Sequence, residues 1–159
     1  MMEPASISGE DLHKLFVGAL DRIKTPQVRI RLEQADKQGT MAQYDRENGK
    51  LNFDCWQGVN YILGNINELP PKERSNPPLR EVYKSKYKKI DEPKFMSLVV
   101  FYTPESNPYH VGLVIEEKGD KSIIWSKWGA GLPAIEPVLD ITKNNGVLFE
   151  YFDTNIEYD

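Results

Sequence analysis

Cysteine, histidine and long apolar runs are all scarce in this chain. One cysteine in 159 residues excludes an internal disulfide framework and any zinc site built on several cysteines. Two histidines rule out an all-histidine metal cage within one chain. The longest apolar stretches, Leu98 to Tyr102 and Val111 to Ile115, are strand-sized, far below the ~18–20 residues of a membrane-spanning helix. An excess of positive charge is also missing. Twenty basic residues against 24 acidic ones give a net charge of −4, which argues against a nucleic-acid partner. Met1 to Asp11 contains neither a basic n-region nor an apolar h-region, so no secretory signal peptide is read. Cytoplasmic residence is the default expectation, unless a system that needs no N-terminal signal exports the protein. No internal repeat or low-complexity tract is found.

What remains is ordinary for one folded domain: 40% hydrophobic and 28% charged residues. The expected layout is a single domain over 1–159, with a helical lead-in at 1–37, a motif-bearing core at 44–128 and a C-terminal strand region at 129–159. Leu12, Leu15, Phe16, Ala19, Leu20 and Ile23 recur at helical spacing and predict a helix from about Asp11 to Ile23, with Ser8 as N-cap. After Thr25-Pro26, the stretch Val28 to Leu32 reads either as a half-buried strand or as a second helix with Pro26 at its first position. Gln38 to Asn52 reads as loop, and a helix is expected from about Cys55 to Leu63, ending near Gly64 and Asn65. Four prolines and three asparagines between Asn65 and Pro78 predict irregular chain. From Leu79 to Lys89, five basic residues interleave with Tyr83 and Tyr87, which is either a solvated helix face with inward tyrosines or a contact surface for an anionic partner.

The second half reads as sheet. Leu98 to Tyr102, Val111 to Ile115, Ser122 to Ser126 and Val147 to Phe152 are β-rich runs, and Glu117 to Asp120 is a hairpin-like link. Helices followed by consecutive strands predict an α+β protein, N-terminal helices packed on an antiparallel sheet.

Cys55 follows a polar loop and opens the apolar pattern Val59, Ile62, Leu63. That places its sulfur at a helix N-terminus, where unpaired N–H groups favour a thiolate and can hold an oxyanion. The competing reading is an inert core thiol. His110 stands at the mouth of a strand in Tyr109-His110-Val111-Gly112, where an imidazole of ordinary pKa ~6.5 suits a general base. Its alternative is a ring bonded to a nearby carbonyl. His13 falls on the polar side of the first helix and is read as solvated.

Phe53-Asp54-Cys55 opening a helix, a Val-Val-Phe strand, then His110-Val111-Gly112-Leu113-Val114-Ile115, together resemble the NlpC/P60 group of papain-like cysteine peptidases and amidases. The order cysteine before histidine is that of the unpermuted members. The resemblance spans roughly Tyr44 to Trp128 and implies a papain-like arrangement with Cys55 as nucleophile and His110 as base. Departures are clear: Trp56 and Gln57 replace a Ser-Gly pair, and Met96-Ser97 stands where Gly-Asp is usual. The third polar residue, often histidine on the third strand, falls at Ile124 to Lys127, leaving Ser126 as orienter because a charged Lys127 cannot accept a hydrogen bond. Ser126-Lys127-Trp128-Gly129 is similar to a string in some uncharacterised relatives, with Trp128 either a substrate wall or a buried anchor. Tyr44 resembles the tyrosine that borders the family's active site. Asp54, Trp56, Gln57 and Lys127 complete the expected lining.

These residues lead to a thiol hydrolase of amide bonds, a chemistry that needs no metal or organic cofactor, so none is expected. The resemblance implies a peptide substrate such as the stem peptides of bacterial cell wall. Without a leader, an effector delivered by a dedicated machine is one expectation, with a cognate inhibitor in the producing cell. Two alternatives stand beside it: a non-catalytic binding module of the same shape, and a thiol acyltransferase.

Overall fold

The computed structural model describes residues 9–44, 53–69, 77–129, 131–145 and 148–159. Helix α1, Gly9–Arg22, turns Phe16 and Ala19 into the core. Ile23 then leaves the helix for an isolated bridge to Tyr158. Arg22 reinforces that closure. Its guanidinium lies 4.1 Å over the Phe95 ring and 2.7 Å from Glu117 Oε1, and its Nε donates to the Asp159 carbonyl.

Helix α2, Pro26–Tyr44, settles the open reading of Val28 to Leu32 in favour of helix and corrects the loop expected from Gln38. Propensity does not hold this polar segment; docking does. Leu32 and Ala35 are fully buried, and Asp36 Oδ1 accepts a 2.9 Å hydrogen bond from Trp125 Nε1. Gly39 is read from sequence as a loop residue, yet it sits in the helix because a side chain would not fit. A Cβ there would lie 2.6 Å from Pro133 Cγ. The rest of the expected loop, 45–52, lies outside the described residues, as do Ser8 and Val147.

Helix α3 spans Cys55–Ile62 and helix α4 Pro77–Lys86. The basic run divides between α4 and the short strand β1, Lys88–Ile90. Tyr83 is buried and Tyr87 packs on the core, as the solvated-face reading requires. Strands β2 (Leu98–Tyr102), β3 (Pro108–Glu116), β4 (Ile123–Lys127), β5 (Pro133–Pro137) and β6 (Leu148–Asp153) complete the sheet, with helix α5, Val138–Asn145, between the last two. All pairings are antiparallel, in the order β1-β6-β2-β3-β4-β5. The molecule is therefore α+β, with helices on a six-stranded antiparallel sheet.

Alternation along the strands creates two cores. One face carries Leu98, Val100, Val111, Leu113 and Trp125 against α1, α2 and α3. The opposite face carries Val99, Phe101, Val114 and Ile124 against Val138 and Ile141 of α5. No described helix is long and apolar enough to cross a membrane.

Candidate active site

Asp54 stands in extended conformation as the N-cap of α3, and its Oδ1 accepts from Gln57 N at 2.9 Å. Gln57 Oε1 accepts in return from Asp54 N at 2.8 Å, closing a reciprocal capping box that fixes the first turn. Cys55 is the first residue inside that turn, as the sequence predicts. The backbone N–H groups of Val111 and Trp56 act on its sulfur and favour the thiolate. Burial and the neighbouring Asp54 carboxylate act the other way and win, pushing the thiol up to about 12. The expectation of a helix terminus that favours thiolate is thus corrected: at 5% exposure, desolvation outweighs the helix end.

His110 is fully enclosed on β3, at 1% exposure. Its position opposite Phe101 in the sheet register sets the ring on the α5 face, whereas Cys55 belongs to the helical face with Val111. Sulfur and imidazole therefore approach the sheet from opposite faces. What links them is the backbone of β3: the N–H that acts on the sulfur belongs to Val111, the residue after His110.

The imidazole has a built surround. Its Nε2 lies 3.0 Å from Ser126 Oγ, so the structure joins two of the three residues expected to form the engine. The indole of Trp128 stacks on the ring at 3.5 Å and 7°. Gly112 opens the space between them. A Cβ there would fall 2.8 Å from Ile124 Cδ1 and 3.2 Å from Ser126 Cβ, so β3 and β4 meet closely only with glycine. Enclosure lowers the His110 pKa to about 3, keeping the ring neutral.

Several expected lining residues have other work. Trp56 is buried and stacks on Tyr83 at 6.0 Å, so it is a core side chain and not a substrate wall. Gln57 is committed to the capping box. Lys127 is fully buried, and its Nζ donates at 2.7 Å to the carbonyls of both Phe53 and Gly129. It ties the segment entering α3 to the end of β4. Trp128, 37% exposed, is the aromatic that faces both solvent and imidazole. Tyr44 is the last residue of α2, and its side chain lies outside the described residues.

Glu136 is the residue that sequence reasoning missed. It accepts from Trp128 Nε1 at 2.6 Å, on the strand that pairs with the one bearing Ser126. Burial raises its pKa, and the neighbouring Trp128 indole and Ser126 hydroxyl oppose that rise. No spacing rule points to a lone acid in Pro133-Ala-Ile-Glu-Pro137. Only the register, which sets Ala134 opposite Ser126 and Glu136 opposite Ile124, brings it to the site.

Among the described residues no cluster of three or more histidine, cysteine, aspartate or glutamate side chains could hold a metal ion. No protein-family model matches the chain, and no curated protein or solved structure is significantly similar to it.

Proposed function

We propose that this protein is a thiol hydrolase of amide bonds, of papain-like NlpC/P60 type, with Cys55 as nucleophile and His110 as general base. One observation carries the reading: Cys55 opens α3 behind the Asp54 cap, and the N–H acting on its sulfur is that of Val111, next in the chain to a buried His110 bonded to Ser126. Both groups rest neutral, thiol and imidazole on opposite faces of β3, so the reaction requires the ring to turn towards the sulfur. As the sulfur attacks the carbonyl carbon of an amide, its proton passes to the imidazole and a tetrahedral oxyanion forms. N–H groups at the head of α3 are the donors available to that oxyanion. Collapse of the intermediate breaks the C–N bond, and the imidazolium gives its proton to the leaving amine. Water, deprotonated by the same ring, then cleaves the thioester to a carboxylic acid. The substrate class that fits the resemblance is a short peptide such as a cell-wall stem peptide, and delivery as an effector with a cognate inhibitor belongs to the same proposal.

A second reading, a non-catalytic binding module, is favoured by the high thiol pKa and by the entry of the two side chains from opposite faces. Acylation by p-nitrophenyl acetate, read by mass spectrometry, separates them. The hydrolase acylates at Cys55, and His110→Ala slows that step by roughly 10²–10⁴-fold, the usual contribution of general base catalysis. A Cys55 that stays unmodified, or acylates equally fast without His110, leaves the binding module standing.

A further inference from the structure

We propose that a cleft beside β6 binds an organic cation, a primary ammonium or guanidinium group, between Asp91, Glu92, Asp120 and the phenol of Tyr151. The cleft encloses about 320 Å³ between the turn after β1, the β3–β4 turn and β6. That is at the small end of ligand sites, which run from ~300 to 1,000 Å³. Cys55, His110 and Ser126 are not in its lining, so it is separate from the candidate active site.

Acceptors gather there without a donor. Asp91, Glu92 and Asp120 are exposed, and among the described residues none of them is in an ion pair. Lys89 is the cation of the lining, and Glu150 already holds it at 2.6 Å. Tyr151 is 6% exposed, and its hydroxyl has no hydrogen-bond partner among the described residues. Ser122 is no donor to it, since its own proton goes to the Gly119 carbonyl at 2.8 Å. Burial above all, with the Asp120 and Glu92 carboxylates adding to it, raises the phenol's pKa and keeps it neutral. A buried hydroxyl left without a partner is costly. Its oxygen is therefore the point in the cleft that a bound donor satisfies.

The same residues select the ligand. Among the described residues the carboxylates do not converge into a group of three able to hold a metal ion, so a polyatomic cation is needed to span them. An ammonium group offers three N–H donors and a guanidinium five, enough for the phenol oxygen and two carboxylates at once. Phe149 and Tyr151 stand edge to face, with centroids 5.4 Å apart and planes at 79°, and make an aromatic corner. Cations are attracted to such ring faces. Carboxylates and aromatic faces together repel an anion, and a neutral ligand would leave the three charges unmatched.

NMR titration of the whole nitrogen-15-labelled protein tests the site, with n-butylammonium, n-butylguanidinium and an acetylated, amidated Ala-Arg-Ala tripeptide as probes. Saturable shifts are expected at Gly119, Asp120 and Phe149 to Tyr151, with the probe's methylene protons moved upfield by the rings. Asp120→Asn and Glu92→Gln, both at exposed positions, each weaken binding about two- to fivefold. Tyr151→Phe weakens it about tenfold and melts no lower than wild type, because the hydroxyl it deletes has no partner in the fold. Binding of the small cations alone makes the ligand a free amine or guanidine, and equal or tighter binding of the tripeptide makes it a basic side chain; either supports the site. Shifts that do not saturate, or that are unchanged in both Asp120→Asn and Glu92→Gln, overturn the proposal. So does a Tyr151→Phe protein that melts lower than wild type, since the hydroxyl then has a partner inside the fold.

Discussion

Lowering the pH from 7 to 5 destabilises this protein through one ring, His110. In the unfolded chain the imidazole titrates near its ordinary 6.5, while in the fold enclosure lowers it to about 3. Between those values the unfolded chain binds a proton that the folded chain refuses. The stability that His110 allows is therefore complete above pH 6.5 and drains away as the pH falls through 6.5 towards 3. At ~1.4 kcal/mol per pH unit across that window, the loss is about 2 kcal/mol by pH 5 and about 3 kcal/mol by pH 4. Against a total of ~5–15 kcal/mol for a domain, either is a large share. Urea melts at pH 7 and pH 5 measure it: with a slope of ~2 kcal/mol per molar, the midpoint falls by about 1 M from this residue alone. Carboxylates also respond to acid, so the decisive quantity is the difference from His110→Gln. That variant is less stable at neutral pH, but its loss between pH 7 and 5 is smaller by about 2 kcal/mol. Equal losses in both proteins mean that His110 titrates near 6.5 in the fold. An enclosed imidazole, as the Trp128 indole stacked on it implies, is then ruled out. Proton NMR titration of the His110 ring in wild type gives the same answer without a variant.

Two further predictions concern the approach to Cys55. Asparagine caps a helix as well as aspartate, so Asp54→Asn should keep stability within ~0.5 kcal/mol while removing the charge that helps hold the thiol up. Its Cys55 is alkylated several-fold faster by iodoacetamide at pH 8, and an unchanged rate would show that burial alone controls the sulfur. Lys127→Met removes the Nζ that donates to the Phe53 and Gly129 carbonyls, at a cost of about 1–3 kcal/mol. A melting temperature that holds or rises refutes the role of Lys127 as the tie between β4 and the start of α3.

The strands β2, β3, β4 and most of β6 were legible because apolar runs of five or so residues with turn signals between them have few other uses. Cys55 at a helix start was legible for the same kind of local reason, since a polar stretch precedes it and Val59, Ile62 and Leu63 follow at helical spacing. The end of α2 was not. Its polar composition and Gly39 argue for loop, and only the closeness of Pro133 and the bond from Trp125 to Asp36 explain the helix. Strand β5 was hidden by its two prolines, tolerable because it lies at the sheet edge. The pairing of His110 with Ser126 could be anticipated from a motif. Glu136 could not, because its place depends on a register that no local pattern encodes. The face on which His110 lies was equally invisible, since one residue of slip exchanges the two faces of a strand.

Strand β6 is the last of the six to be synthesised, yet it is an inner strand, inserted between β1 and β2. Until Leu148–Asp153 has left the ribosome, β3 is the one partner of β2 among the described strands, and β1 has none among them. A nascent chain thus exposes the open edge of β2, Leu98 to Tyr102, for the whole time that the intervening residues are made. Exposed apolar edges of that kind template wrong pairings. Folding here is a closing step taken late, and the cell must keep the unfinished sheet from finding another strand first.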